Sequence, residues 1–93
     1  MRNNEQLGVA RRVGVRIRTA RRASALSRNQ VARSAGLTGR ELARYEHGKV
    51  VPCRRDVQAL AGACGVNLGD LLPADLLEQL PELPASEHST SEG

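Results

Sequence analysis

The apolar positions of the chain fall into helical periods. Val13, Ile17 and Ala20 recur three and four residues apart, the spacing of one helix face, and predict a first helix through about Ala23. Residues 1–12 read as a polar, basic N-terminal arm ahead of it, ending in Arg11-Arg12. Val57, Leu60, Ala61 and Cys64 form an i, i+3, i+4, i+7 stripe and predict a helix over 54–64, closed by Gly65. A short helix over 68–72 follows, with Asn67 as its cap and Asp70 near its positive end. Leu76, Leu77 and Leu80 then lie between Pro73 and Pro81. Residues 84–93 have the composition of a disordered tail. No segment alternates with the period of a strand, so the expected fold class is all-α.

Two helix starts are written out in full. Ser27 is followed by Gln30 at the third helical position, with Leu26 before the cap and Val31 after it. This is a capping box with a hydrophobic staple. Eleven residues on, Thr38, Glu41, Leu37 and Leu42 repeat the device. Each cap stabilises its helix by about 1 kcal/mol. Between them Ala35-Gly36 supplies a sharp stop. Two short helices around a tight turn, the second running through about Glu46, make a helix-turn-helix arrangement. His47-Gly48-Lys49 ends the second helix, and Val50-Val51-Pro52 is a loop.

Charge changes the picture. The net value is +4, but all fourteen basic residues lie in 1–55 against Glu5, Glu41 and Glu46, leaving +11 there. Residues 56–93 carry seven acids and no Lys or Arg, hence −7. A DNA phosphate backbone is the natural partner for such a field; the other reading is an ordinary solvated basic surface. On the second capped helix, Arg40 and Arg44 are i, i+4 and share a face, with His47 one turn further. A guanidinium fork matches the two acceptors of guanine in the major groove. Solvated helix faces carry such charges too.

Other classes of function find less support. Ninety-three residues suit one compact domain plus tails. Tyr45 is the only aromatic, so the core must be aliphatic, and single-stranded RNA, usually gripped by stacked aromatics, is disfavoured. Cys53 and Cys64 form no metal-binding pattern with His47 and His88. On one helix the two cysteines would stand about 16 Å apart, which excludes a disulfide. Both are expected reduced, with Cys64 in the core. There is no Gly-rich phosphate loop, metal cluster or Ser-His-Asp set, so neither catalysis, cofactor nor metal is expected. No apolar run is long enough to cross a membrane, and the N-terminus lacks a secretory pattern, so a cytoplasmic protein without membrane contact is expected.

Residues 13–72 resemble the phage-repressor family of helix-turn-helix proteins, the group of lambda repressor, Cro and the Xre-type regulators. The resemblance rests on Val13-Gly14, Ile17-Arg18, Arg21, Leu26-Ser27, Gln30-Val31-Ala32, Ala35-Gly36-Leu37-Thr38, Leu42, Tyr45-Glu46 and Gly48-Lys49. Pro52, Leu60-Ala61, Gly65-Val66 and Leu71-Leu72 complete it. It implies a compact five-helix domain with a short C-terminal extension, and a third helix that enters the major groove of double-stranded DNA. Thr38, Gly39, Arg40 and Arg44 match the base-reading positions, with Gly39 standing where a polar side chain is common. Arg28, Lys49, Arg54 and Arg55 match backbone-contacting positions, the last two at the phosphate-facing start of helix four. Arg21 and Glu46 match a structural ion pair.

The function implied is a sequence-specific transcription regulator acting as a homodimer. An antitoxin or restriction-modification controller of the same fold is an alternative, as is an interaction adaptor that leaves DNA untouched. Signal sensing would fall to a regulatory partner, to abundance, or be absent. Residues 73–83 are Leu-rich: Leu76, Leu77 and Leu80 form either a self-complementary dimer contact or a strip folded back on the chain's own helices. The acidic Asp75, Glu78 and Glu82 favour placing this segment away from DNA.

Overall fold

The computed structural model describes residues 2–83, with side chains described from Leu7 onward. In that range lie α1 (Arg2–Ala23), α2 (Arg28–Ala35), α3 (Gly39–Glu46), α4 (Arg54–Cys64), α5 (Leu68–Leu71) and α6 (Ala74–Leu77). Among the described residues there is no strand. The tail expected over 84–93 lies outside them.

The first helix is longer than its apolar pattern predicts. In place of an arm over 1–12, α1 runs for 22 residues from Arg2. Its inner stripe continues upstream of Val13: Ala10 is 1% exposed, and Val9 packs against the core. Two glycines let its backbone lie on the end of α3. A β-carbon on Gly14 would overlap the Tyr45 carbonyl oxygen and stand 3.0 Å from that of Glu46. A β-carbon on Gly48 would stand 3.0 Å from Arg11 Cα. The segment read as an arm is therefore packed helix from about Val9 onward.

The starts of α2 and α3 follow from their caps. Ser27 Oγ accepts from the Gln30 N–H at 3.1 Å, and Gln30 Oε1 accepts from the Ser27 N–H at 2.8 Å. Thr38 Oγ1 accepts from the Glu41 N–H at 3.0 Å, and Glu41 Oε1 from the Thr38 N–H at 2.8 Å. Between the helices Gly36 takes a left-handed conformation, φ 76°, which costs glycine little. The Leu37 N–H then reaches back to the Ala32 carbonyl at 2.8 Å, satisfying an acceptor at the end of α2.

Two other starts differ. Asn67 occupies the cap position of α5, but its side chain accepts no backbone N–H; its amide donates to the Asp70 carboxylate at 3.4 Å instead. α4 begins after Cys53 with no side-chain cap. Its first N–H groups are satisfied by the far end of the chain. The Arg54 N–H donates to the Pro81 carbonyl at 2.7 Å and the Arg55 N–H to the Glu82 carbonyl at 3.3 Å.

The core gathers Val13 and Ile17 of α1, Val31 and Ala32 of α2, Leu42 of α3, and Val57, Leu60, Ala61 and Cys64 of α4. α2 packs chiefly on α4, and α1 on α3. Fully burying one Val, Leu or Ile contributes about 1.5–3 kcal/mol. Cys53 and Cys64 are both buried and unpaired by disulfide.

The C-terminal segment completes this core. Leu76 is 1% exposed and Leu80 3%, both within the same cluster as Leu60 and Leu72, and Leu77 packs against it. Of the two readings left open for Leu76, Leu77 and Leu80, this burial fits the strip folded back on the chain's own helices. A domain of this size, with one aromatic, needs those leucines to close its interior. A sixth helical turn, α6, is added to the five expected. Asp75 lies 3.9 Å from Arg12, and Glu82 lies 3.9 Å from Arg54.

Candidate nucleic-acid interface

α3 has two dissimilar sides. Leu42 is wholly buried and Glu46 is 5% exposed, whereas Arg40, Arg44 and His47 are exposed. Thr38 stands at the N-terminal end with its hydroxyl engaged in the cap, and half-buried Gly39 is the first helical residue. At the other end the Lys49 N–H donates to the Arg44 carbonyl at 3.0 Å and the Gly48 N–H to that of Tyr45 at 3.1 Å. These bonds end the helix and set exposed Lys49 just past it. Thr38, Gly39, Arg40, Arg44 and Lys49 thus belong to one short element and its exit. Within the described residues, the side chains of Arg40, Arg44 and Lys49 have no hydrogen bond or ion pair.

The remaining basic candidates are engaged. Arg28 Nε and Nη2 each lie 3.3 Å from Glu46 Oε1. Arg54 donates from Nε to the Leu77 carbonyl at 3.2 Å, with Glu82 near its Nη1. Arg55 Nε is 3.8 Å from the Asp56 carboxylate. At the start of α4 the backbone of residues 81–82 lies across the first N–H groups, while Arg54 is half-buried and Arg55 exposed. The cause is local, since Cys53 provides no cap and the carbonyls of the returning chain replace one.

Behind α3 sits a buried ionic joint. Glu46 has a side chain with no exposure. Arg21 Nε donates to its Oε2 at 2.6 Å and Nη2 to its Oε1 at 3.1 Å. This fork-to-fork geometry is the strong form of the pair. The hydrogen bond to Glu46 raises the Arg21 guanidinium above its ordinary value, so it is charged at any relevant pH. With Arg28 added, the joint holds α1, α2 and α3 together on one carboxylate.

Two further contacts had no clear signal in the sequence. The Tyr45 hydroxyl donates to Asp56 Oδ2 at 2.6 Å, across a loop of irregular backbone. Burial, then this bond, pushes the Tyr45 hydroxyl well above the usual tyrosine range. Arg16 donates from Nε to the Leu71 carbonyl at 2.8 Å, so one arginine of the basic half closes the C-terminal end of α5. Burial also raises both thiols, Cys53 and Cys64, which favours their protonated form.

Among the described residues no three His, Cys, Asp or Glu side chains converge as a metal site. No helix there is long and apolar enough to cross a membrane. A family model described as a helix-turn-helix domain matches residues 12–74. No curated protein matches the chain.

Proposed function

The chain belongs to the helix-turn-helix domain family, and on that footing we propose that it is a sequence-specific regulator of transcription that inserts α3 into the major groove of double-stranded DNA. One observation carries the reading. Arg40 and Arg44 are exposed on α3 and have no hydrogen-bond or ion-pair partner among the described residues, while Arg16, Arg21, Arg28 and Arg54 are tied into the fold. Other exposed arginines, such as Arg18, Arg22 and Arg33, lie on α1 and α2; the two on α3 carry forks that match guanine O6 and N7.

In this reading Thr38 and Gly39 bring the helix backbone close to the bases, and Arg40 and Arg44 read two different base pairs. Lys49 takes a phosphate. Arg28, Arg54 and Arg55 contribute charge from side chains that also serve the fold, so their share is smaller. A two-fold homodimer on paired half-sites suits such a domain; with Leu76 and Leu80 buried in the core, this reading puts its contact elsewhere. The reaction is binding alone, with no catalytic step, metal or cofactor.

Selection of preferred sites from random duplexes tests this. The wild type should return a defined half-site. Arg40→Ala should lose about 1–3 kcal/mol of discrimination at one base pair, and Arg44→Ala at another. Equal loss on every sequence would move that arginine to the phosphate backbone. Absence of salt-dependent binding to any duplex would leave the adaptor reading in its place.

A further inference from the structure

Gly39 is the first residue of α3 and has no side chain to offer DNA. Its place is taken by a residue of the neighbouring helix. A β-carbon built on Gly39 would overlap Asn29 Oδ1 and lie 3.6 Å from Asn29 Cγ. The Asn29 amide therefore rests where the side chain of residue 39 would begin, immediately before Arg40. Asn29 is exposed, and within the described residues its amide has no hydrogen-bond partner. The start of α2 does not need it, because Ser27 and Gln30 already form the complete capping box.

We propose that Asn29 is a specificity-determining residue of this interface, reading the edge of an A·T pair from the notch that Gly39 leaves. The inference rests on the proposed DNA-binding role and adds to it a reader from outside α3. A carboxamide presents a donor and an acceptor side by side, which match adenine N7 and N6–H in the major groove, while Arg40 and Arg44 match guanine. Gly39 is then the condition for a reader: any side chain there would push the amide of Asn29 aside.

The test is site selection from random duplexes with the full chain, comparing wild type, Asn29→Ala, Gly39→Ala, the double variant and Arg40→Ala. Circular dichroism should show all of them folded, since Asn29 is exposed and alanine is a good helix residue at position 39. Asn29→Ala should reduce the preference for A·T at one base pair by about tenfold and leave affinity for unrelated duplex unchanged. Gly39→Ala should relax the same base pair. The double variant should be no worse than either single one, because both remove one interaction. Three results overturn the proposal: an unchanged preference at every position, an equal loss on specific and random DNA, or additive losses at different base pairs. If Arg40→Ala relaxes its own base pair while Asn29→Ala relaxes none, only the role of Asn29 falls. A wild type with no preferred site removes both readings.

Discussion

Tyr45 and Asp56 lock the end of α3 to the first turn of α4: the phenol donates to the carboxylate at 2.6 Å, and Asp56 is only 7% exposed. Lys49 lies on the loop that this bond closes. Tyr45→Phe should cost about 1.5–3 kcal/mol, the range for a hydrogen bond to a charged group. The pH dependence has a definite sign. A hydroxyl whose folded value is raised contributes stability that is complete below the ordinary value of 10.0 and is lost as pH climbs above it. The two buried thiols act in the same direction from 9.0 upward, in wild type and variant alike. Urea unfolding between neutral pH and about pH 11 should give a shallower alkaline decline for Tyr45→Phe than for wild type. Parallel curves would count against this bond.

Glu46 is the hub of three helices, so removing it should be severe. Glu46→Ala leaves Arg21 partly buried and unpaired, and should cost roughly 3–5 kcal/mol. Arg21→Met with Glu46→Leu should recover much of that loss, because neither charge is then stranded. Denaturant midpoints of the three variants decide it; a double variant weaker than Glu46→Ala would contradict the account.

Gly14 and Gly62 should respond oppositely to alanine. At Gly14 the new methyl meets backbone carbonyls of Tyr45 and Glu46, which no rotamer change relieves. The cost should be about 1–3 kcal/mol or more, as for overpacking. Gly62 lies within α4 with open space around it, and alanine there should stabilise by roughly 0.5–1 kcal/mol. Thermal melts of the two single variants give the comparison.

The C-terminal leucines should behave as core. Leu76→Ala should cost about 2–5 kcal/mol, and Leu76→Asp with Leu80→Asp should unfold the chain rather than release a folded monomer. Truncation after Leu80 removes the carbonyls that cap α4, at a further cost of roughly 1 kcal/mol. A folded, monomeric double-Asp variant in sedimentation would restore the ridge as an interface.

Lys49 and Arg54 should separate DNA binding from stability. Lys49→Ala should flatten the log-log salt dependence of DNA affinity by about 0.9 with little change in melting temperature. Arg54→Ala, which breaks contacts to Leu77 and Glu82, should alter the melt more and the slope less.

Local physics was open to reading along the chain. The capping boxes Ser27–Gln30 and Thr38–Glu41 act within three residues, the stop at Gly36 within five, and the stripe of α4 within one helix. Each therefore carries its whole cause in a short window. The free arginines of α3 could be named as candidates for the same reason: their spacing alone puts them on one face.

Tertiary structure decided what each surface meets. The early part of α1 packs where Arg11 approaches Gly48, which is distant in sequence. Arg28, expected at the DNA backbone, turns toward a carboxylate on α3, and Tyr45 and Asp56 meet only because the loop between them folds. Leu76 and Leu80 show most plainly where pattern ends. An apolar strip states that it must be buried, in a second copy or in its own domain, and the pattern is the same for both. Here Leu76 and Leu80 lie in the chain's own core, and the carbonyls of Pro81 and Glu82 accept from the first N–H groups of α4; both facts depend on residues far apart in sequence.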